Sequence, residues 1–204
     1  DGEIQISILQ NSTAKETIEV NNIIVNKIKK ILKKESIIKN EDDFITIKFN
    51  NFSNTSRIEF LYSFFQNFCE YLEFLSITDV DLYLDEDVES HNDIKMFLEE
   101  IDNLKLKGKG LQKHILLFNS DYYPKLIFGS IKLKYKIIDY LDVDGYAIIN
   151  LSFPEYLRNE NKNSELQISI DLKLTKDNRG IKTENIVRKK LLDYIEIKKV
   201  DSFN

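Results

Sequence analysis

One cysteine in 204 residues rules out an intrachain disulfide and any cluster of cysteine metal ligands. That residue, Cys69, falls on an apolar helical stripe, where a buried, unreactive thiol is expected. The six glycines are scattered, and none stands between strand and helix in a GxGxxG or GxxxxGK[ST] pattern, which excludes phosphate cradles of those kinds. His91 and His114 are far apart and have no H-x-x-x-H spacing, so each is read as solvated or packed rather than as an acid or base. No run is long and apolar enough to span a bilayer, and no signal peptide pattern is read, so a cytoplasmic protein is expected. The chain opens on Asp1 rather than Met, as a processed product or a piece of something larger would.

Against these absences stands a hydrophobic content of 42%, enough to fill the core of one domain or two small ones. Charged residues make up 31% with both signs interspersed, and the net charge of -5 argues against bulk attraction to nucleic acid. The wealth of Ile, Lys and Asn reflects codon bias of an AT-rich genome.

The clearest pattern runs from Asp43 to Leu84. Phe44, Ile45, Ile47 and Phe49 predict a strand, and Asn50 to Asn54 a turn. Ser56 with Glu59 then forms a capping box. The helix it opens carries Leu61, Tyr62, Phe65, Phe68, Cys69, Leu72 and Leu75 at helical spacing, and Val80 to Leu84 follows as a second strand. Upstream, Glu3 to Leu9 alternates as a strand. Val20, Ile24, Ile28, Ile31 and Leu32 keep a helical period with lysines outward, after a Thr13/Glu16 capping box. Downstream, Ile94 to Leu104 reads as a helix, Lys107 to Gly110 as a break and His114 to Phe118 as a short strand.

The second half changes character. Ile131, Leu133, Tyr135 and Ile137 alternate with Lys132, Lys134 and Lys136, and Tyr140 to Phe153 and Leu166 to Leu174 continue as strands of an antiparallel meander. A last helix from about Thr183 presents Val187, Leu191, Tyr194 and Ile195 on one side. The expectation is an α+β (mixed α/β) fold: an N-terminal half of alternating strands and helices, then the meander and a C-terminal helix. No repeat or linker is present, so residues 1–204 read as one domain, with Asn119 to Pro124 the one place for a subdivision into 1–118 and 125–204.

Three groups of residues could carry chemistry. The acidic run Asp79, Asp81, Asp85, Glu86, Asp87 and Glu89 has oxygen ligands for a hard cation, but it lacks EF-hand spacing and reads as a solvated strand-to-helix turn. Asp142 or Asp144 on one strand, followed by Asp171-Leu172-Lys173 on the next, resembles the metal-dependent nucleases of the PD-(D/E)xK type, over the C-terminal third only. The resemblance implies that Asp144 together with Asp171 and Lys173 binds Mg²⁺ and positions a water for attack on phosphate. No proline precedes Asp142 or Asp144, and acid-x-Lys recurs at Asp93 and Glu196. Salt bridges between the Lys132 to Lys136 row and these aspartates account for the same residues as sheet surface.

The third group is a binding face. Tyr122, Tyr123, Tyr140 and Tyr146, with Lys132 and Lys134, crowd the second half, and tyrosine gives interfaces area and a hydrogen bond at low entropic cost. The favoured reading is therefore a non-enzymatic protein-binding module: a small inhibitor, neutralising partner or accessory subunit of a larger bacterial assembly, with no cofactor. Its partner is expected to be another protein, basic to match the acidic total, with no membrane and no nucleic acid involved. The alternative is the Mg²⁺-dependent nuclease of Asp144, Asp171 and Lys173.

Overall fold

Strand β3, Leu126–Ile137, is the middle strand of the sheet, and Leu126, Phe128, Ile131, Leu133, Tyr135 and Ile137 along it are almost completely buried. In the computed structural model it lies between β1 (Leu72–Leu84) and β4 (Gly145–Ser152). β2 (Leu104–Lys107) pairs with the far side of β1, and β5 (Gln167–Leu174) with the far side of β4. The sheet has the order β2-β1-β3-β4-β5, and every neighbouring pair is antiparallel. The structure describes residues 15–39, 46–65, 68–88, 104–108, 110–138, 140, 142–175 and 180–203. They fall into two compact units, 1–46 and 47–204.

The α+β class and the C-terminal helix are as the sequence implies. The β3-β4-β5 meander matches the expected strands closely, because strict alternation in a half-buried sheet leaves one register that buries the apolar set. The C-terminal helix, Ile181–Phe203, buries Val187, Leu191 and Ile195 as expected, and its Arg188 guanidinium donates to the Ile170 carbonyl of β5. β1 before the stretch Asn119 to Pro124 and β3 after it pair along their length.

The N-terminal half departs from expectation in particulars. Helix α2 spans Asn54–Tyr62 and is capped by Ser53, whose Oγ accepts from the Ser56 amide at 3.1 Å, so Ser56 is inside the first turn rather than at the cap. After a 3-10 turn at Ser63–Phe65 the chain passes into β1, which begins at Leu72, not Val80. Leu72 and Phe74 pair with Ile137 and Tyr135 of β3; long-range pairing decides where a local period is ambiguous. Ile47 and Phe49 are buried, but the segment makes an isolated bridge, Lys48 to Glu165, and then a 3-10 turn at Phe49–Asn51 in place of the expected strand. Leu104 opens β2 instead of closing a helix, and Ile115–Phe118 is a short helix, α3, not a strand. Four consecutive apolar residues carry no period to distinguish the two. The expected strand at Glu3 to Leu9, residue Thr13, Phe44 and Ile45, and the body of the helix after Asp93 lie outside the described residues.

A further short helix, α4 (Pro154–Asn159), ends on Glu160, which takes the left-handed conformation at φ 57° while its amide bonds the Tyr156 carbonyl at 2.8 Å. Glycine adopts that conformation without Cβ strain. Glu160→Gly should therefore stabilise unit 47–204 by about 0.5–1 kcal/mol, read as a rise of roughly 2–3 °C in Tm. An unchanged or lower Tm would show that the Glu160 side chain contributes more than its backbone strain costs.

Candidate functional site

The inner face of the sheet packs on its helices, and what the sequence leaves for function is the outer face. The registers set two polar rows across all five strands: Lys107, Asp79, Lys132, Asn150 and Ser169 in one, and Lys105, Asp81, Ser130, Ser152 and Gln167 in the next. Period two dictates this, since each of these residues alternates with a core side chain. Asp79 and Asp81 are both only 8% exposed, and each is held by a lysine, Asp79 by Lys132 at 3.1 Å and Asp81 by Lys105 at 2.9 Å. Ser130 Oγ donates to the other Asp81 oxygen at 2.7 Å. Asp79 Oδ1 and Asn150 Oδ1 are buried without a hydrogen-bond partner among the described residues. The register shifts in β1 at Ile77/Asp79 and Asp81/Leu82 flank the pair of aspartates, where bulges re-aim side chains.

The structure brings Asp79, Asp81, Lys132, Lys134, Tyr146, Asp171 and Lys173, all singled out in the sequence, onto this one face. Lys132 holds Asp79, Lys134 Nζ lies 4.3 Å from the centre of the Tyr146 ring, and Lys173 faces Tyr146 across the β4-β5 ladder. Asp171 and Lys173 pair with each other at 2.9 Å, with side chains 57% and 62% exposed. The lysine row thus finds its carboxylate on β1, not on β5. Tyr122, Tyr123 and Tyr140 are placed elsewhere. Tyr123 is a core residue whose hydroxyl donates to the Leu117 carbonyl at 3.1 Å, so it cannot line a surface. Tyr122 is half-buried in the 120–125 turn, and Tyr140 is half-buried against Tyr71. Only Tyr146 of these four is freely presented, at 41% exposure.

The arrangement sets limits on metal chemistry. Asp171 faces Ile148, four residues along β4 from Asp144, which separates the two along the strand by roughly 13 Å, too far for one ion. Among the described residues no three histidine, cysteine or acidic side chains gather as a metal site. Asp85 is taken up locally: it accepts from Asn54 Nδ2 at 2.5 Å and from the Asp87 amide at 3.2 Å. His114 opens α3, its ring Nδ1 accepting from the Leu116 amide at 3.4 Å, and His91 lies outside the described residues. Cys69 is buried, and burial pushes its thiol up, away from the reactive thiolate.

One buried charged residue gave no sequence signal. Arg57, 2% exposed, donates to Asn54 Oδ1 at 3.0 Å and to the carbonyls of Phe52 and Phe49 at 3.1 and 3.3 Å. Its guanidinium lies 3.5 Å from the centre of the Phe49 ring, which stacks in turn on Tyr156. Burial lowers the guanidinium to about 10, and it stays protonated at neutral pH.

Buried phenols make the fold sensitive to alkali. The Tyr135 hydroxyl donates to the Phe64 carbonyl and the Tyr62 hydroxyl to the Leu117 carbonyl, and burial holds both phenols well above their usual range. Above pH 10 the folded chain keeps protons that the unfolded chain gives up, so this stability is complete below pH 10 and is lost as pH rises. Each phenol takes away up to about 1.4 kcal/mol per pH unit, and Arg57, lowered to about 10, works in the opposite sense and offsets one of them. Urea midpoints should fall steadily from pH 10 to 12; a flat profile would show that the phenols ionise within the fold.

Comparison with known protein families, with curated proteins and with solved structures finds no match for this chain.

Proposed function

We propose that the chain is a non-enzymatic protein-binding module, an inhibitor, neutralising partner or accessory subunit of a larger bacterial assembly, and that it meets its partner through the outer face of β3, β4 and β5. The observation that carries this reading is the rigid display of Tyr146 under Lys134, beside Asp171 and Lys173, on ladder positions fixed by the core. An aromatic anchor within fixed charges supplies area and selects register. Over the whole face the lysines at 105, 107, 132, 134, 136 and 173 outnumber the carboxylates of Glu73, Asp79, Asp81 and Asp171. The partner segment is therefore acidic, and the basic partner suggested by the net charge of -5 does not suit this surface.

The test is to tag the chain, express it at native level and identify what survives a salt wash. A stoichiometric protein should be retained, and Lys134→Glu/Lys173→Glu should weaken that retention by about tenfold or more, since two charge contacts become repulsive. Retention unaffected by the double variant would remove this face from the interface. Absence of a bound protein would overturn this reading, as would Mg²⁺-dependent cleavage of nucleic acid lost in Asp171→Ala, which would point to a metal site that does not include Asp144.

A further inference from the structure

Among the described residues, several exposed apolar side chains lie close together on a different element. Helix α1, Lys15–Lys34, and the turn behind it carry Val20, Ile23, Ile24, Ile31 and Ile37, all 44–58% exposed. At 100° per residue, Val20, Ile24, Val25, Ile28, Ile31 and Leu32 share a sector about 140° wide, and Ile23 falls outside it. Lys27 and Lys34 run along one border of the sector and Lys29 along the other, with Lys30 and Lys33 opposite. The sequence pattern anticipates a stripe packed inward with lysines outward; the period is right, but among the described residues Val20, Ile24 and Ile31 of the stripe stay exposed, while Val25, Ile28 and Leu32 are half-buried.

Charge decides between occupants. Six lysines against two glutamates give the helix a net charge of +4 within a chain of -5. A second copy would set +4 against +4, and an uncharged groove would leave the lysine borders unused. A surface that is apolar at depth and anionic at its rim satisfies both parts, with lysine stems lying along the apolar layer and their ammonium groups reaching the rim. We propose that α1 docks the chain on an anionic lipid bilayer, lying in the plane of the interface with Val20, Ile24, Ile28 and Ile31 down. No helix among the described residues is long and apolar enough to cross a membrane, so this is attachment and not insertion. The proposal stands apart from the sheet-face reading, on a different unit of the chain.

Cosedimentation of the full chain with vesicles of phosphatidylcholine, alone or with roughly one-third phosphatidylserine, provides the test. Partition should be at least about tenfold higher on the anionic vesicles and should fall severalfold as salt screens the lysines. Ile24→Asp/Ile31→Asp and Lys27→Glu/Lys34→Glu should each reduce it about tenfold. Both pairs are at solvent-facing positions, and unchanged circular dichroism and Tm would confirm intact folding. Equal or absent partition on the two vesicle types would overturn the proposal, as would a concentration-dependent dimer lost in Ile24→Asp/Ile31→Asp, which would assign the face to a second copy. Lys134→Glu/Lys173→Glu should partition as wild type; a loss there with α1 variants unaffected would place lipid contact on the sheet and equally overturn it.

Discussion

Gly145→Ala should lower the stability of unit 47–204 by roughly 3–5 kcal/mol, one of the two largest effects expected of a single substitution here. Gly145 opens β4 between Ile137 of β3 and Leu174 of β5, with φ at +155°. A Cβ built there would stand 2.5 Å from the Lys173 carbonyl oxygen and 2.9 Å from the Leu174 Cα. Both obstacles are backbone, so no rotamer change relieves them; β5 must move, and with it the edge of the sheet and the ladder position of Lys173 opposite Tyr146. Gly110 is the control. Its φ of +75° also disfavours a side chain, but nothing lies within 4 Å of its Cβ position, so Gly110→Ala should cost only about 1 kcal/mol. Urea unfolding of the two variants separates the terms. If Gly145→Ala lay within about 1 kcal/mol of Gly110→Ala, β5 would be free to give way, and the rigidity assigned to the outer face would be lost with it.

The contrast between these glycines shows what could be read in advance. Gly145 falls within the strand run read from Tyr140 to Phe153, but the need for glycine comes from β5, whose approach depends on the pairing of Gly145 with the distant Leu174. The meander was legible because Ile131, Leu133, Tyr135 and Ile137 alternate with lysines, and period two admits one burial pattern. Leu72 to Leu75 was not, because the same apolar residues satisfy a helical period and a strand, and β3 decides between them. The candidate site divides in the same way. Lys132, Lys134, Asp171 and Lys173 were recognisable as sheet-surface residues from alternation alone, whereas Tyr146 stood out only as one of several tyrosines in the second half. That Asp79 and Asp81 would become the carboxylates of that face, and that Tyr123 would go to the core, depends on which strand neighbours which. The exposed stripe of α1 shows the converse: period predicts which residues share a face, but not whether anything covers it.

Arg57→Ala should destabilise the same unit by roughly 3–4 kcal/mol, for reasons that no sequence pattern announces. The guanidinium gathers the Phe49 and Phe52 carbonyls at the start of α2, and through Asn54, which donates to Asp85 at 2.5 Å and to the Pro124 carbonyl at 2.9 Å, it ties that turn to the end of β1 and to the 120–125 turn. Truncation leaves two interior carbonyls short of a donor and opens space beneath Phe49 in the Phe49, Phe153 and Tyr156 cluster. Arg57→Lys keeps the charge but loses the planar fork and the stacking, and should cost about 2 kcal/mol. Arg57→Met tests the assignment most sharply. A buried charge can be replaced by an apolar side chain of similar length at no net loss when its hydrogen bonds only balance its desolvation, and the burial that lowers Arg57 to about 10 shows that the desolvation is large. If the carbonyl bonds dominate, Arg57→Met falls between the lysine and alanine variants. A methionine variant as stable as wild type would show that Arg57 fills volume beneath Phe49 and that its hydrogen bonds contribute register, not stability.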